Sequence, residues 1–280
     1  MNSRQLGFWM CTALVVGNMI GMGIFVLPAS LAPFGFNAFI GWAATVLGCA
    51  LLAIVFAILA RRMPEADGPF HYIRATLGET VAFAALWCYW ISIWIANAAL
   101  AVGAAGYMTS VVPPLARMPP AIIAASLLWV FVLVNLFGAR SGGRVQVLTA
   151  ALKLVPLALV ILLGLWTLVA DPAAYTEHIP TAPINLQSTM AASTIALFAM
   201  LGLESATVPA GRVLNPEKTI PRATIVGTLL TAAVYIAVTA VSTLLVPQEM
   251  LAASNAPFVD VLDRLLGTGN GRWLALFVII

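Results

Sequence analysis

Charge is what this sequence has least of. Asp, Glu, Lys and Arg make up 8% of its 280 residues, against 62% hydrophobic residues and a mean hydropathy of +1.03. Soluble domains carry roughly 25% charged residues, so there is too little charge here to cover a water-facing surface, and the implied solvent is lipid. The net charge of +3 is scattered along the chain, which excludes a nucleic-acid footprint. Cysteine and histidine are also scarce. Cys11, Cys49 and Cys88 sit inside apolar runs without a partner at metal-ligand spacing, which excludes a disulfide frame and a zinc site. His71 and His178 read as loop residues. There is no triad, carboxylate pair or phosphate loop, and the GxG of Gly21–Gly23 lacks the strand and acidic partner of a dinucleotide fold. Neither an enzymatic activity nor a cofactor is expected.

What the chain does have is length of apolar run. A spanning helix needs about 20 mostly apolar residues. Such runs lie near 6–32, 38–60, 80–110, 120–138, 145–170, 189–211 and 222–246. The first is too long for a cleavable signal peptide. An eighth run, 271–280, is still apolar at its last residue and too short to cross, so the sequence reads as the front part of a longer all-α polytopic membrane protein. Lys and Arg are retained on the cytoplasmic side. With the N-terminus inside, nine basic residues (Arg4, Arg61, Arg62, Arg74, Arg140, Arg144, Arg212, Lys218 and Arg222) fall inside and three (Arg117, Arg264 and Arg272) outside. That orientation suits a multi-pass protein of a cell membrane, expected to be a bacterial inner membrane.

Two of the runs look interrupted. Segment one contains Gly17, Gly21 and Gly23 followed by Pro28, and segment six contains Gly202-Leu203-Glu204-Ser205 with Pro209 and Gly211 beyond. Each interior glycine costs a helix about 1 kcal/mol relative to alanine. Unwound backbone at membrane depth survives only where it is buried in protein or lines a cavity. The Gly17–Gly21 spacing is also a GxxxG pair, which often does no more than let two helices pack closely. Breaks in the first and sixth segments are the expected mark of inverted five-helix repeats with a solute site between them. On segment three, Trp90, Trp94 and Asn97 share one helical face at i, i+4 and i+7. Glu204 and Lys153 are the ionisable side chains placed deep in the membrane, functional candidates by default. Lys153 lies nine residues past Arg144, roughly 13 Å along a helix and near mid-membrane.

Gly17-Asn18-Met19-Ile20-Gly21-Met22-Gly23-Ile24-Phe25 resembles the segment-one signature of the amino acid–polyamine–organocation (APC) superfamily. The likeness continues through Trp90–Asn97, Arg144-Val145-Gln146, Gly202–Ala206 and Asn215–Pro221, covering essentially the whole chain, and is strongest to the arginine/agmatine antiporter group. The resemblance implies a LeuT-type fold, with the first five-helix repeat and the start of the inverted second repeat present. It implies backbone carbonyls near Met19, Phe198 and Leu201 holding a substrate amino group, and N–H groups of Met22 and Gly23 holding a carboxylate. Asn97 would meet the distal cationic group, the alternative being an interhelical hydrogen bond. Asn18, Gly21, Ser92, Ile93 and Gly202 complete the implied substrate site, while Glu204, Lys153 and Trp94 are the implied proton-coupling and gating residues. Lys153 matches the lysine that occupies a sodium position in sodium-independent members. Two positions depart from the group. Phe198 replaces a tryptophan, keeping an aromatic lid, and Met22 replaces a small or hydroxylated residue, keeping the N–H and losing a hydroxyl.

The expected function is therefore sodium-independent exchange of basic amino acids or polyamines. Proton-coupled uptake of a neutral amino acid and a transporter-like sensor without flux are the competing readings. The expected partners are an amino acid or amine, protons, the bilayer and a second copy as homodimer, with no nucleic acid and no metal.

Overall fold

A computed structural model describes residues 6–64, 66, 68–136, 139–208, 210–267, 269, 271 and 276–278, with backbone alone for 134, 135 and 139–151. Among the described residues the regular structure is helical, with one isolated bridge between Leu6 and Val213. The helices are α1 (Phe8–Met19), α2 (Gly23–Leu31), α3 (Phe36–Arg62), α4 (Pro69–Leu77), α5 (Glu79–Val111), α6 (Pro120–Leu136), α7 (Ala139–Ala170), α8 (Leu186–Ala199), α9 (Pro216–Leu245), α10 (Gln248–Ala253) and α11 (Pro257–Leu266). Among the described residues, Phe36–Arg62, Glu79–Val111, Leu152–Ala170, Leu186–Thr207 and Pro216–Leu245 are each long and apolar enough to cross a membrane. Phe8–Met19 and Gly23–Phe34 form a sixth, broken span, and α6 contributes a shorter apolar stretch at Pro120–Leu133. Pro209 and most of 271–280 lie outside the described residues, as do the side chains of Arg140 and Arg144. His71, expected in a loop, sits inside α4, whose start is set by Pro69 at its first turn, where a missing N–H costs nothing.

The chain divides into two compact units. One takes in the described residues of Met1–Gly21, Ile40–Trp94 and Ser193–Ala233. In it α1 buries Cys11, Val15 and Met19, spaced four residues apart on one face, as an inward-facing helical stripe requires. This face meets a 3₁₀ turn at Leu203–Thr207, and Val15 also lies against Gly227 of α9. Before α1, the Leu6 N–H donates to the Arg212 carbonyl at 3.1 Å and the Leu214 N–H donates to the Leu6 carbonyl at 2.9 Å. The Thr45 hydroxyl of α3 donates to the Ser193 carbonyl of α8 at 3.1 Å.

The other unit takes in the described residues of Met22–Phe39, Ile95–Ala192 and Val234–Ile280. Here α2 packs on α10 and α11, and α11 packs on α7. Small residues let α5 and α6 approach, with Ala101 and Ala105 buried against Ile123 and Ala124. Asn37 pins the chain that follows α7. Its amide donates to the Phe34 and Pro183 carbonyls, both at 3.0 Å, and its oxygen accepts from the Asn185 N–H at 2.9 Å and the Thr189 hydroxyl at 3.1 Å. A buried amide satisfied this fully fixes the local chain instead of destabilising it.

Candidate substrate site

The break in segment six is a change of helix type at a single residue. α8 ends at Ala199, Met200 N–H is shared between the Ala196 and Leu197 carbonyls at 3.2 and 3.0 Å, and Leu201 N–H reaches Phe198 at 3.4 Å. Gly202 then turns left-handed, with φ 105° and ψ 0°, and the 3₁₀ turn of Leu203–Thr207 follows. Two features require glycine there. Side chains rarely adopt that φ, and a methyl group at the position would lie 3.2 Å from the Asn18 carbonyl carbon and 3.3 Å from both the Asn18 oxygen and the Met19 nitrogen.

That neighbour is the break in segment one. α1 stops at Met19, and Ile20 leaves helical geometry with φ −77° and ψ 83°. Ile20 N–H still reaches Val16 at 2.8 Å, but Gly21 N–H turns back to the Met19 carbonyl at 2.9 Å, and the next helix begins at Gly23. Within this unit, then, the two interrupted backbones touch at Asn18–Met19 and Gly202. Helix ends leave carbonyls and N–H groups unpaired, so what meets here is polar backbone at membrane depth. A methyl at Gly17 or Gly21 meets no atom within 4 Å among the described residues.

Glu204, half-buried in the 3₁₀ turn, accepts a hydrogen bond from the Tyr89 hydroxyl of α5 at 2.9 Å. Tyr89 is absent from the residues singled out by sequence. The signal was available, because a carboxylate at membrane depth needs a donor and Tyr89 immediately precedes the aromatic stripe. The Ser92 hydroxyl donates to the Tyr89 carbonyl at 2.7 Å and so is spent within its own helix. Trp87, Trp90 and Trp94 form a ladder with ring centroids 5.4 and 6.3 Å apart, and Trp90, Ile93 and Trp94 are exposed. Phe198 and Leu201, beside the break, are 42% and 51% exposed.

Asn18, Met19, Gly21, Ser92, Ile93, Trp94, Phe198, Leu201, Gly202 and Glu204 belong to this first unit. Met22, Gly23, Asn97 and Lys153 belong to the second. There the Met22 side chain lies over Gly103 of α5, with its Cγ 3.5 Å from where a Cβ would be. The Asn97 side chain is exposed, and Lys153 is half-buried in α7.

The pattern of the whole chain agrees with these local features: an amino acid permease family model matches residues 6–280. The chain belongs to the amino acid permease family, within the APC superfamily. It is a polytopic helical membrane protein of the LeuT-type class. This permease chain is 35% identical over 279 residues to the cadaverine/lysine antiporter of Escherichia coli K12, covering 99% of itself and 61% of that protein. It is 31% identical to a putative arginine/ornithine antiporter of Bacillus subtilis 168, covering 99% of itself and 65% of the relative. To the putrescine transporter PotE of Escherichia coli K12 it is 32% identical, covering 91% of itself and 58% of the relative. The chain thus spans less than two thirds of the length of these relatives, all of which are transporters.

Proposed function

We propose that the protein is a sodium-independent exchanger that moves a basic amino acid one way and its decarboxylated amine the other, by alternating access across a cell membrane. The observation that carries this reading is the contact of Gly202 with the Asn18–Met19 backbone, which sets two unwound segments side by side. Carbonyls at the end of α1 and at Phe198 and Leu201 suit an ammonium group. The first N–H groups of α2, at Met22 and Gly23, suit a carboxylate at the positive end of a helix dipole. A diamine has no carboxylate and makes no use of the second set. Asn97 offers the distal cation a neutral amide, at less desolvation cost than a buried ion pair.

The antiporter names carried by its relatives support exchange over one-way uptake. Glu204 with Tyr89 is the proton-responsive pair of this reading, Lys153 is the fixed cation that replaces sodium, and Trp94 is a gating side chain. The excess of Lys and Arg in alternate loops supports a cytoplasmic N-terminus. Counterflow in proteoliposomes containing the full-length protein tests the proposal. Labelled lysine should enter only when lysine or cadaverine is inside, at the same rate with sodium or potassium outside. Uptake into empty vesicles driven by a pH gradient would replace exchange with proton symport.

A further inference from the structure

On α5, Gly103, Gly106 and Tyr107 lie at i, i+3 and i+4, so they share one helical face. Each meets a different part of the second unit. A Cβ at Gly103 would stand 3.1 Å from Val26 and 3.5 Å from Met22, so the missing side chain is what lets the first turn of α2 lie on α5. A Cβ at Gly106 would stand 2.5 Å from the Asn255 carbonyl, in the chain leading into α11. Tyr107 is fully buried and its hydroxyl is used twice. It donates to the carbonyl of Phe25, the third residue of α2, at 2.5 Å, and accepts from the N–H of Phe258, in the first turn of α11, at 3.1 Å. That N–H belongs to the set a helix cannot satisfy internally. The Phe25 ring stands edge-on to both Phe258 and Tyr107, with centroids 4.9 and 6.5 Å apart.

We propose that Gly103, Gly106 and Tyr107 form a seat that aims the first turn of α2, and that this seat selects for the carboxylate-bearing partner of the exchange over its decarboxylated amine. The inference rests on the exchange reading given above. Hydrogen bonds weaken steeply as they lose alignment. A carboxylate held by the N–H groups of Met22 and Gly23 therefore depends on where α2 points, and Tyr107 grips α2 two residues further on. An amine without a carboxylate makes no demand on α2. Tyr107 is thus a positioning residue that touches no substrate and acts on one class of substrate only.

The test is Tyr107→Phe in the full-length protein, reading half-saturation for lysine and for cadaverine in the same vesicles. The expected result is a loss of about five- to tenfold for lysine, with cadaverine changed less than twofold. Equal losses for both overturn the proposal, because a merely structural tyrosine loosens the whole site. Gly103→Ala, which keeps the hydroxyl and pushes on Val26 and Met22, should produce the same one-sided loss and serves if Tyr107→Phe folds poorly. Hydrogen exchange of the peptide covering 22–27 reads the seat without any substrate, and it should speed about tenfold in Tyr107→Phe. Unchanged exchange there overturns the seat, whereas a wild-type protein that moves neither compound counts against the exchange reading alone.

Discussion

Among the described residues, a methyl group added to segment one at Gly17 or Gly21 meets no atom within 4 Å, while one added to segment six at Gly202 crowds the backbone of Asn18 and Met19. The two breaks look alike in sequence, each a glycine-rich interruption in an apolar run. Physically they are opposites. Gly202 is demanded by its left-handed φ and by a neighbour that has no rotamer to change. Gly17 and Gly21 are demanded by neither, and an added Cβ at each meets no atom within 4 Å among the described residues. One break is fixed against main chain, and the other borders the room proposed for a solute.

The largest effect that tests this contrast is expected at Gly202. Gly202→Ala should lower stability by about 2–4 kcal/mol, combining a disfavoured backbone conformation with overlap against main chain. Exchange in proteoliposomes should fall about a hundredfold. Gly227→Ala comes next. Its added Cβ would lie 2.7 Å from Val15 Cγ1 and 2.8 Å from Val15 Cβ, an overpacking worth about 1–3 kcal/mol. The pair sharpens the comparison, because the obstacle at Gly227 is a side chain. Val15→Ala removes Cγ1 and keeps Cβ, so it should restore part of the thermal midpoint of Gly227→Ala, while no substitution of Asn18 or Met19 should restore Gly202→Ala. If Val15→Ala failed to rescue, α1 would not lie on α9 as described.

Tyr89→Phe stands third. It removes the donor to Glu204 and keeps the ring, so stability should fall by about 1 kcal/mol. The exchange rate should fall about five- to tenfold, with its pH dependence altered in the way that Glu204→Gln alters it. Additive effects in the double variant would argue that the two residues do not act as a pair.

How much of this was legible in the sequence follows from what each residue is asked to do. The all-helical membrane class and the two breaks were legible because each is a property of a local stretch: apolar length, or glycine and proline where a helix resists them. The structural need for Gly202 was half legible, since glycine signals permission for a positive φ and says nothing of the Asn18 carbonyl it would strike. Tyr107 was not legible, and Tyr89 only through its place beside the aromatic stripe. Their roles depend on partners 115 and 151 residues away, and a tyrosine in an apolar helix looks the same whether it packs or donates. Met22 read as a position that keeps its N–H and loses a hydroxyl. The structure sets its side chain over Gly103, a pairing that no local pattern announces.

The smallest effects are expected in segment one, and they separate the two roles most finely. At Gly21, which sits in the unwound stretch, a methyl should leave the thermal midpoint unchanged and weaken substrate affinity about fivefold, because the space it enters is the space proposed for the solute. At Gly17, inside α1, the same methyl should raise stability by about 0.5–1 kcal/mol through helix propensity alone. Exchange should change less than twofold. The GxxxG spacing makes the opposite forecast for both positions: if these glycines exist to let another helix approach, each alanine must lower the thermal midpoint. A drop of several degrees in Gly17→Ala would therefore return that glycine to a packing role. The vacancy beside segment one would then belong to a helix and not to a solute, and the contrast with Gly202 would collapse into a difference of degree.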